Sequence, residues 1–442
     1  MNYSEAVSYL YGLERFGIKL GLENTLSLLN YLGNPHLKFP SVHIAGTNGK
    51  GSVCAMLESI LCHSGYKTGL YTSPHLVDFR ERIRICRQWI EKDFILDFVK
   101  NLKEKIEKEQ YTFFEVTTVL AFLCFAQKKI DIGVIETGLG GRLDSTNVLN
   151  PEVAIITTIN YDHTDKLGTT LSQIASEKGG IIKPNVPTVV MAEKKKVTDV
   201  LKSICEKRKS EFIHIKDVTR WEINKSSISG SIFSFESDSV KYKNLKLNLA
   251  GSHQIKNAVA SITAIEELKK KGWKIKKNGV REGLKKVNWR GRLEIFQKKP
   301  LVLLDVAHNP EGAKILVDSL KKLIPDKKIT FIFGVVEGKD FPQLLSILKE
   351  YSHLIILTQP KYPKMISPGI LAEELEKKKA NYKVIPEIKE AFEFAKENTK
   401  SSDAICITGS HFTVGEFLEI FEKIRPSTNS GRLVKSNRNR LR

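Results

Sequence analysis

Cysteine is scarce in this 442-residue chain. There are six, at positions 54, 62, 86, 124, 205 and 406, with no C-x-x-C spacing and no cluster. That excludes a disulfide framework and a cysteine zinc site, and leaves the reduced, mostly buried thiols expected of a cytoplasmic protein. Long apolar runs are absent as well. No stretch approaches the roughly 20 residues of a membrane span, so no membrane association is expected. Glu5, Glu14, Arg15 and Glu23 interrupt the N-terminal segment, which therefore does not read as a signal peptide. Acidic residues are in short supply: 50 Asp plus Glu against 70 Lys plus Arg, a formal net charge of +20. A surplus of that size points to a polyanion: nucleic acid, an acidic membrane or a multiply charged small molecule. What is plentiful is core material. Hydrophobic residues make up 41% of the chain, which excludes general disorder and is enough for two or three domains.

No internal repeat is visible. What recurs is a short Val/Ile-rich run, a glycine-containing turn and a helical stretch, as over 39–65, 130–141 and 153–162. Continuous apolar runs suit strands buried on both faces, so an α/β fold is expected, with a mostly parallel sheet covered by helices. Segment 205–250 alternates and is rich in Ser and Lys, which predicts antiparallel strands at the end of the first domain. A second α/β series starts near residue 299 and places the domain boundary at 290–298. The expected organisation is a first α/β domain over 1–295, a second over 296–425 and a basic, disordered tail over 426–442.

The strongest local signal is His43-Ile44-Ala45-Gly46-Thr47-Asn48-Gly49-Lys50-Gly51-Ser52. A buried strand runs into glycines, a lysine and a helix start, the arrangement that turns backbone N–H groups and a helix dipole toward phosphate oxygens. It departs from a Walker A loop, because Ile44 stands where glycine is required and Gly51 where Ser or Thr would bind Mg²⁺. Metal ligands must then come from elsewhere. Glu136, closing the apolar run 132–136 beside a second glycine cluster, is well placed, and the Ser73 hydroxyl is another candidate. A plain surface turn is the alternative for Ser73.

The ordered set AGTNGKGS (45–52), TSPHL (72–76), FFE (113–115), ETGLGGRLDSTN (136–147), NYDHTDKLG (160–168), ASEKGGIIKP (175–184), HQIKNA (253–258), RGRLE (290–294), DVAHNP (305–310) and TGSHFTVGE (408–416) closely resembles the folylpolyglutamate synthase and dihydrofolate synthase family of the Mur ligase superfamily. The resemblance implies a P-loop-type ATPase domain closed over by a Rossmann-like domain. It implies a monomeric ATP-dependent ligase that activates a folate-type carboxylate as an acyl phosphate and joins it to L-glutamate. The acceptor would be dihydropteroate, a reduced folate, or both. An enzyme with only one of the two activities is the nearest alternative. A peptidoglycan-precursor ligase is disfavoured, since too little chain precedes the first strand for a UDP-binding domain.

By the same resemblance, Thr47, Asn48, Gly49, Lys50, Gly51 and Ser52 hold the phosphates, and Asn257, Arg292, Asp305 and His308 complete the nucleotide site. Two Mg²⁺ ions are implied. Ser73 and Glu136 ligate one; His163 and Lys178 bind the other, the lysine through carbamylation, since an ammonium cannot ligate a metal. The pteroate end is expected against Thr112, Phe113, Phe114 and Glu115 and against Leu143, Asp144 and Ser145, aromatic faces suiting a flat ring and Glu115 accepting from ring N–H groups. That both Phe residues are core is the alternative. The family's Trp-Pro-Gly-Arg-Leu-Glu reads Trp289-Arg290-Gly291-Arg292-Leu293-Glu294 here, and its Glu-Lys-Ala-Gly reads Glu177-Lys178-Gly179-Gly180.

Nucleic acid is then not needed to explain the charge. No zinc ligand set, RRM signature or basic region with heptads supports it. ATP, glutamate and folates are already anionic. Most of the excess reads as solvated lysine on helical faces such as 100–109 and 266–277.

Overall fold

A computed structural model describes residues 1–17 and 19–422. The expected tail over 426–442 lies outside the described residues. Three sheets organise the chain. The first has eight strands, in the spatial order Gln88–Trp89, Ile83–Ile85, Thr68–Tyr71, Ile132–Glu136, Ser41–Ala45, Val153–Ile156, Thr188–Val190 and Phe212–His214. Six of these run parallel, and an antiparallel hairpin (Ile83–Ile85 with Gln88–Trp89) extends one edge. The central strands are buried along their whole length, as continuous Val/Ile runs require. Strands Thr219–Ser227, Gly230–Ser237 and Lys241–Leu247 form a separate antiparallel sheet, where alternation in the sequence predicted one.

The third sheet has six strands in the order Glu294–Lys298, Leu301–Leu304, Ala404–Thr408, Ile329–Phe333, Ser352–Leu357 and Tyr382–Val384. All pairs are parallel except the first. Among the described residues no helix is long and apolar enough to cross a membrane.

The topology decides where chemistry can occur. Strand Ser41–Ala45 pairs with Ile132–Glu136 on one side and Val153–Ile156 on the other, so the loops leaving these three strands converge at one end of the sheet. That is the crevice at the carboxyl ends of strands where open α/β sheets bind ligands. The loop after Leu301–Leu304, running into helix Pro310–Leu323, faces it from the second sheet. At the junction, Arg290 replaces the family's proline, and its guanidinium bridges Glu294 (2.8 Å) and Glu422 (2.8 Å). The stiffness a proline would supply through φ comes here from an ion-pair fork.

Helix Lys50–His63, which begins in the glycine loop, is held by an unusually close neighbour. Gly283 of helix Lys277–Lys286 lies so near that a Cβ there would sit 2.5 Å from Ile60 Cα and 2.7 Å from Ile60 N. The Ser59 hydroxyl donates to the Gly283 carbonyl at 2.7 Å. Gly283→Ala must push the helices apart, at a cost of about 1–3 kcal/mol. It is expected to lower the melting temperature, and a value at or above the parent's would contradict this account.

Candidate active site

The glycine loop is shaped by two contacts that only glycine permits. Gly46 has φ +150° and a Cβ there would fall 1.8 Å from Thr157 Oγ1; Gly49 has φ +93° and faces Asn257 Oδ1 at 2.7 Å. Neighbouring residues stitch the loop to 157–160. The Thr47 amide donates to the Thr158 carbonyl at 2.7 Å and the Asn160 amide to Thr47 Oγ1 at 3.1 Å. The structure also explains Gly51. Trp289 occupies the space where a Cβ would project, with Cζ2 2.9 Å away. A Walker-type Ser or Thr cannot stand there without displacing the indole.

A cavity of about 350 Å³ opens above this loop. It is lined by Thr47, Asn48, Gly49, Lys50, Gly51, Ser52, Ser73, Glu136, His163, Lys178, Asn257, Arg292, Asp305 and His308. Every candidate phosphate, nucleotide and metal residue is thus brought to one cleft, with walls from both large sheets. A second cavity, of about 330 Å³, shares Asn48, Gly49, His253, Asn257 and Ile315 with it and adds Met191 and Leu323.

The electrostatics are dominated by crowded cations. Lys50 Nζ donates to the Gly46 carbonyl at 3.1 Å and stands 4.0 Å from Glu136. Lys178, only 5% exposed, donates to that same carbonyl at 2.9 Å. Burial first, then the Lys50 charge, pushes the Lys178 pKa down to about 7. Glu136 is buried, which raises its pKa against the pull of Lys50, and it accepts the Ser73 amide at 3.2 Å. Asp305 does not cap the following helix; Asn309 does, accepting from the Gly312 amide at 2.8 Å. Asp305 instead accepts the amides of Leu293 and Ala307, both at 2.9 Å, beside half-buried Arg292.

The pteroate residues lie apart from these two cavities. None of Thr112, Phe113, Phe114, Glu115, Leu143, Asp144 and Ser145 lines either one. Glu115 is 2% exposed and its carboxylate accepts the Thr112 amide through Oε2 at 2.7 Å, closing a capping box on helix Phe113–Gln127. Asp144 accepts the amides of Gly138 (2.9 Å) and Leu139 (2.8 Å). Phe114 packs onto Gly138, while Phe113 stays partly exposed and stacks on Tyr11 with centroids 5.8 Å apart.

Sequence reasoning missed the contact between the sheets. Lys339 reaches Asp162 at 2.7 Å and lies 3.3 Å from His163 Nε2. Asn309 exchanges amide hydrogen bonds with Asn48 (3.0 and 3.3 Å) and reaches Asp162 at 3.4 Å. Asp162 lay inside a motif already singled out. Lys339 stands in a Gly-Lys-Asp turn with no signal beyond its glycine.

Comparison with known proteins agrees with this geometry. Residues 44–265 match the Mur ligase middle domain, and 291–411 match the Mur ligase glutamate ligase domain. The Bacillus subtilis dihydrofolate synthase/folylpolyglutamate synthase is 34% identical over 94% of this chain and 98% of its own. Among solved structures, Thermotoga maritima folylpolyglutamate synthase superposes with a TM-score of 0.83 at 35% identity, covering 96% of this chain and 97% of that one. Escherichia coli FolC in complex with DHPP and ADP superposes at 0.86 with 29% identity, covering 95% and 98%.

One consequence of the buried site concerns pH. His43, fully buried beneath the cleft, hydrogen-bonds Thr146 Oγ1 at 2.8 Å, and burial, followed by the Lys183 charge, pushes its pKa down to about 3. The unfolded chain protonates this ring near 6.5 and the folded one does not, so its contribution is complete above about pH 6.5 and is lost as pH falls toward 3. At pH 5 the loss is about 2 kcal/mol. His43→Gln keeps a polar group without the titration, so its stability should fall less than the parent's between pH 7 and 5, by about that amount. Parallel curves in denaturant titrations at the two pH values would contradict the assignment.

Proposed function

Because the chain belongs to the dihydrofolate synthase/folylpolyglutamate synthase family of Mur ligases, we propose a role for each part of its cleft. The protein is an ATP-dependent ligase. It adds L-glutamate to dihydropteroate and to the glutamate tail of reduced folates through an acyl phosphate, releasing ADP and phosphate. The observation that carries the reading is the convergence of Lys50 and Lys178 on the Gly46 carbonyl, facing Glu136 across the cavity. Two lysine amino groups crowd one neutral acceptor with a single carboxylate near them, and a triphosphate supplies the anions that this arrangement lacks.

The reaction must bring a carboxylate against a triphosphate, and the chain's residues are arranged to lower that repulsion. Loop amides 47–52 and Lys50 hold the phosphates in line, and burial of the cleft strengthens each contact. The apolar wall of Met191, Ile315 and Leu323 suits the adenine, with Asn257 at its edge. Arg292 offers a fork of donors to polyphosphate, and Asp305 fixes the turn that presents His308.

ATP and a divalent metal ion are the cofactors. Among the described residues no cluster of three or more His, Cys, Asp or Glu could cage a metal alone. Half-buried Ser73 and buried Glu136, adjacent in the cleft, fit a hard cation that takes its remaining ligands from phosphate and water, which is how Mg²⁺ is usually bound. When bound, such an ion screens the reacting anions and draws charge from the transferring phosphoryl group. We assign a second Mg²⁺ to His163 and Lys178. A lysine with a pKa near 7 is substantially neutral at neutral pH, so its amine can add CO₂, lose a proton and become an anionic oxygen ligand.

We divide the chain into a catalytic unit over 1–295 and a closing unit over 296–425. We take the catalytic unit to be a monomer.

The test is to incubate the protein with ATP, Mg²⁺ and L-glutamate, offering dihydropteroate and a reduced folate separately. ADP release and a product heavier by one glutamyl residue are expected with each. Lys50→Ala should lower kcat/KM at least about 100-fold, the scale for losing one preorganised donor to developing charge. Near-normal ligation by this variant would refute the assignment. Activity should also rise when bicarbonate is restored to a CO₂-stripped enzyme; Lys178→Ala should lack that response.

A further inference from the structure

One strong cation near the cleft has no counterion. Arg82 closes the short turn Phe79–Arg82 and is 7% exposed, yet no carboxylate lies within ion-pair reach among the described residues. Exposed Glu14 acts on it only from beyond ion-pair reach, and the other acids around it are committed elsewhere. Asp78 holds Arg80 at 2.7 Å. Glu81 accepts three amides, those of Leu76, Val77 and Asp78, at 2.9–3.0 Å. Glu136 serves Lys50 and Ser73. The Arg82 side chain makes one hydrogen bond, from Nε to His75 Nδ1 at 2.8 Å, and lies over the Phe113 ring at 5.1 Å. Its two Nη groups make none. Leaving a buried charge uncompensated is costly, and such groups concentrate where a ligand supplies the missing partner.

The single hydrogen bond fixes the rest. Since His75 Nδ1 accepts from arginine, the ring is neutral and its Nε2 carries the hydrogen. Nε2 therefore donates to Tyr11 Oη, 2.9 Å away, and the Tyr11 hydroxyl hydrogen is left free to donate outward. Tyr11 is 37% exposed and stacks on Phe113, the same ring that underlies Arg82. The chain Arg82–His75–Tyr11 thus presents an arginine fork and a hydroxyl donor beside one aromatic face. His75, which joins the two donors, shares with Ser73 and Glu136 a small cavity of about 30 Å³, while Arg82 and Tyr11 line neither this cavity nor the main one.

On the reading of the cleft given above, the reacting carboxylate belongs at Ser73, Glu136 and Lys50. Dihydropteroate has no other carboxylate. A glutamate-tailed acceptor has a second one, on the α-carbon, a few bonds away. We infer that Arg82 and Tyr11, aligned through His75, form a subsite for this second, non-reacting carboxylate and so set the preference for glutamate-tailed acceptors over dihydropteroate. A planar guanidinium with both Nη groups free matches a carboxylate in a bidentate pair.

The experiment compares two acceptors, dihydropteroate and a monoglutamyl reduced folate, in the parent, Arg82→Met and Tyr11→Phe proteins. Arg82→Met should lower the ratio of kcat/KM for the folate to that for dihydropteroate by about 30-fold or more, carried mainly by KM. Tyr11→Phe should lower it by about 3- to 10-fold, the worth of one hydrogen bond. Arg82→Met should not lower the melting temperature, because it removes an uncompensated charge, whereas a purely structural arginine would. Equilibrium binding of both acceptors, followed by protein fluorescence, reads the same ratio without turnover. A protein that binds both acceptors with the expected change in ratio but does not ligate them would overturn the catalytic reading and leave the subsite standing. Equal losses on both acceptors, no loss on either, or a parent protein that binds neither would overturn the subsite.

Discussion

The Gly46 carbonyl accepts from two lysine amino groups at once, Lys50 at 3.1 Å and Lys178 at 2.9 Å, and much of the site follows from that contact. Burial first, and the nearby Lys50 charge second, disfavour a charged Lys178 and bring its pKa down to about 7. The carbonyl is held in place because Gly46 has a positive φ against Thr157, a conformation and a closeness that no Cβ tolerates. The loop is therefore rigid where it meets its own cations and open where it meets a ligand. Anions relieve the repulsion, so phosphate binding and the relaxation of the lysines are one event. The same shortage of anions recurs at Arg82 and at Arg292, whose nearest opposite charges are already hydrogen-bonded to backbone.

This arrangement bears on how much was readable beforehand. The strand–glycine–lysine–helix signal announced a phosphate loop, and apolar runs announced the parallel sheet, because both depend on local residue types with fixed geometric consequences. Gly51 was legible as a departure from Walker A but not as a consequence of Trp289, 238 positions along the chain, filling the space above it. Glu115 had a local use that the motif reading passed over. Thr-x-x-Glu at a helix start is a capping box, and one carboxylate oxygen accepts the Thr112 amide. The antiparallel hairpin at the edge of the first sheet was not anticipated. Its strands are three and two residues long, too short for periodicity to register.

Charge is where local reading was weakest. The +20 excess first suggested a polyanionic partner. Many of the lysines prove to be paired in short-range surface contacts, such as Lys269 with Glu266 and Lys378 with Glu374. Such pairs are worth little in energy and say little about ligands. The informative cations are few: Lys178 and Arg82 are buried, and Lys50, Arg292 and Lys339 are half-buried. What marks them is not their number but their place around the cleft, which a count of basic residues cannot reveal.

The contact between the two large sheets completes the argument. Asp162 is 11% exposed at its side chain and draws Lys339, Asn309 and His308 toward the loop that carries His163. Asn309 also caps its own helix and pairs with Asn48 in the phosphate loop. One side chain therefore reports on three places: the helix start of the second unit, the phosphate loop and the loop beside Lys178. Opening the cleft would break these bonds together, and closing it would restore the donors that face the phosphates. A site assembled in this way excludes water only when both units are docked. An acyl phosphate demands that, since any water admitted would hydrolyse it before an amine arrived.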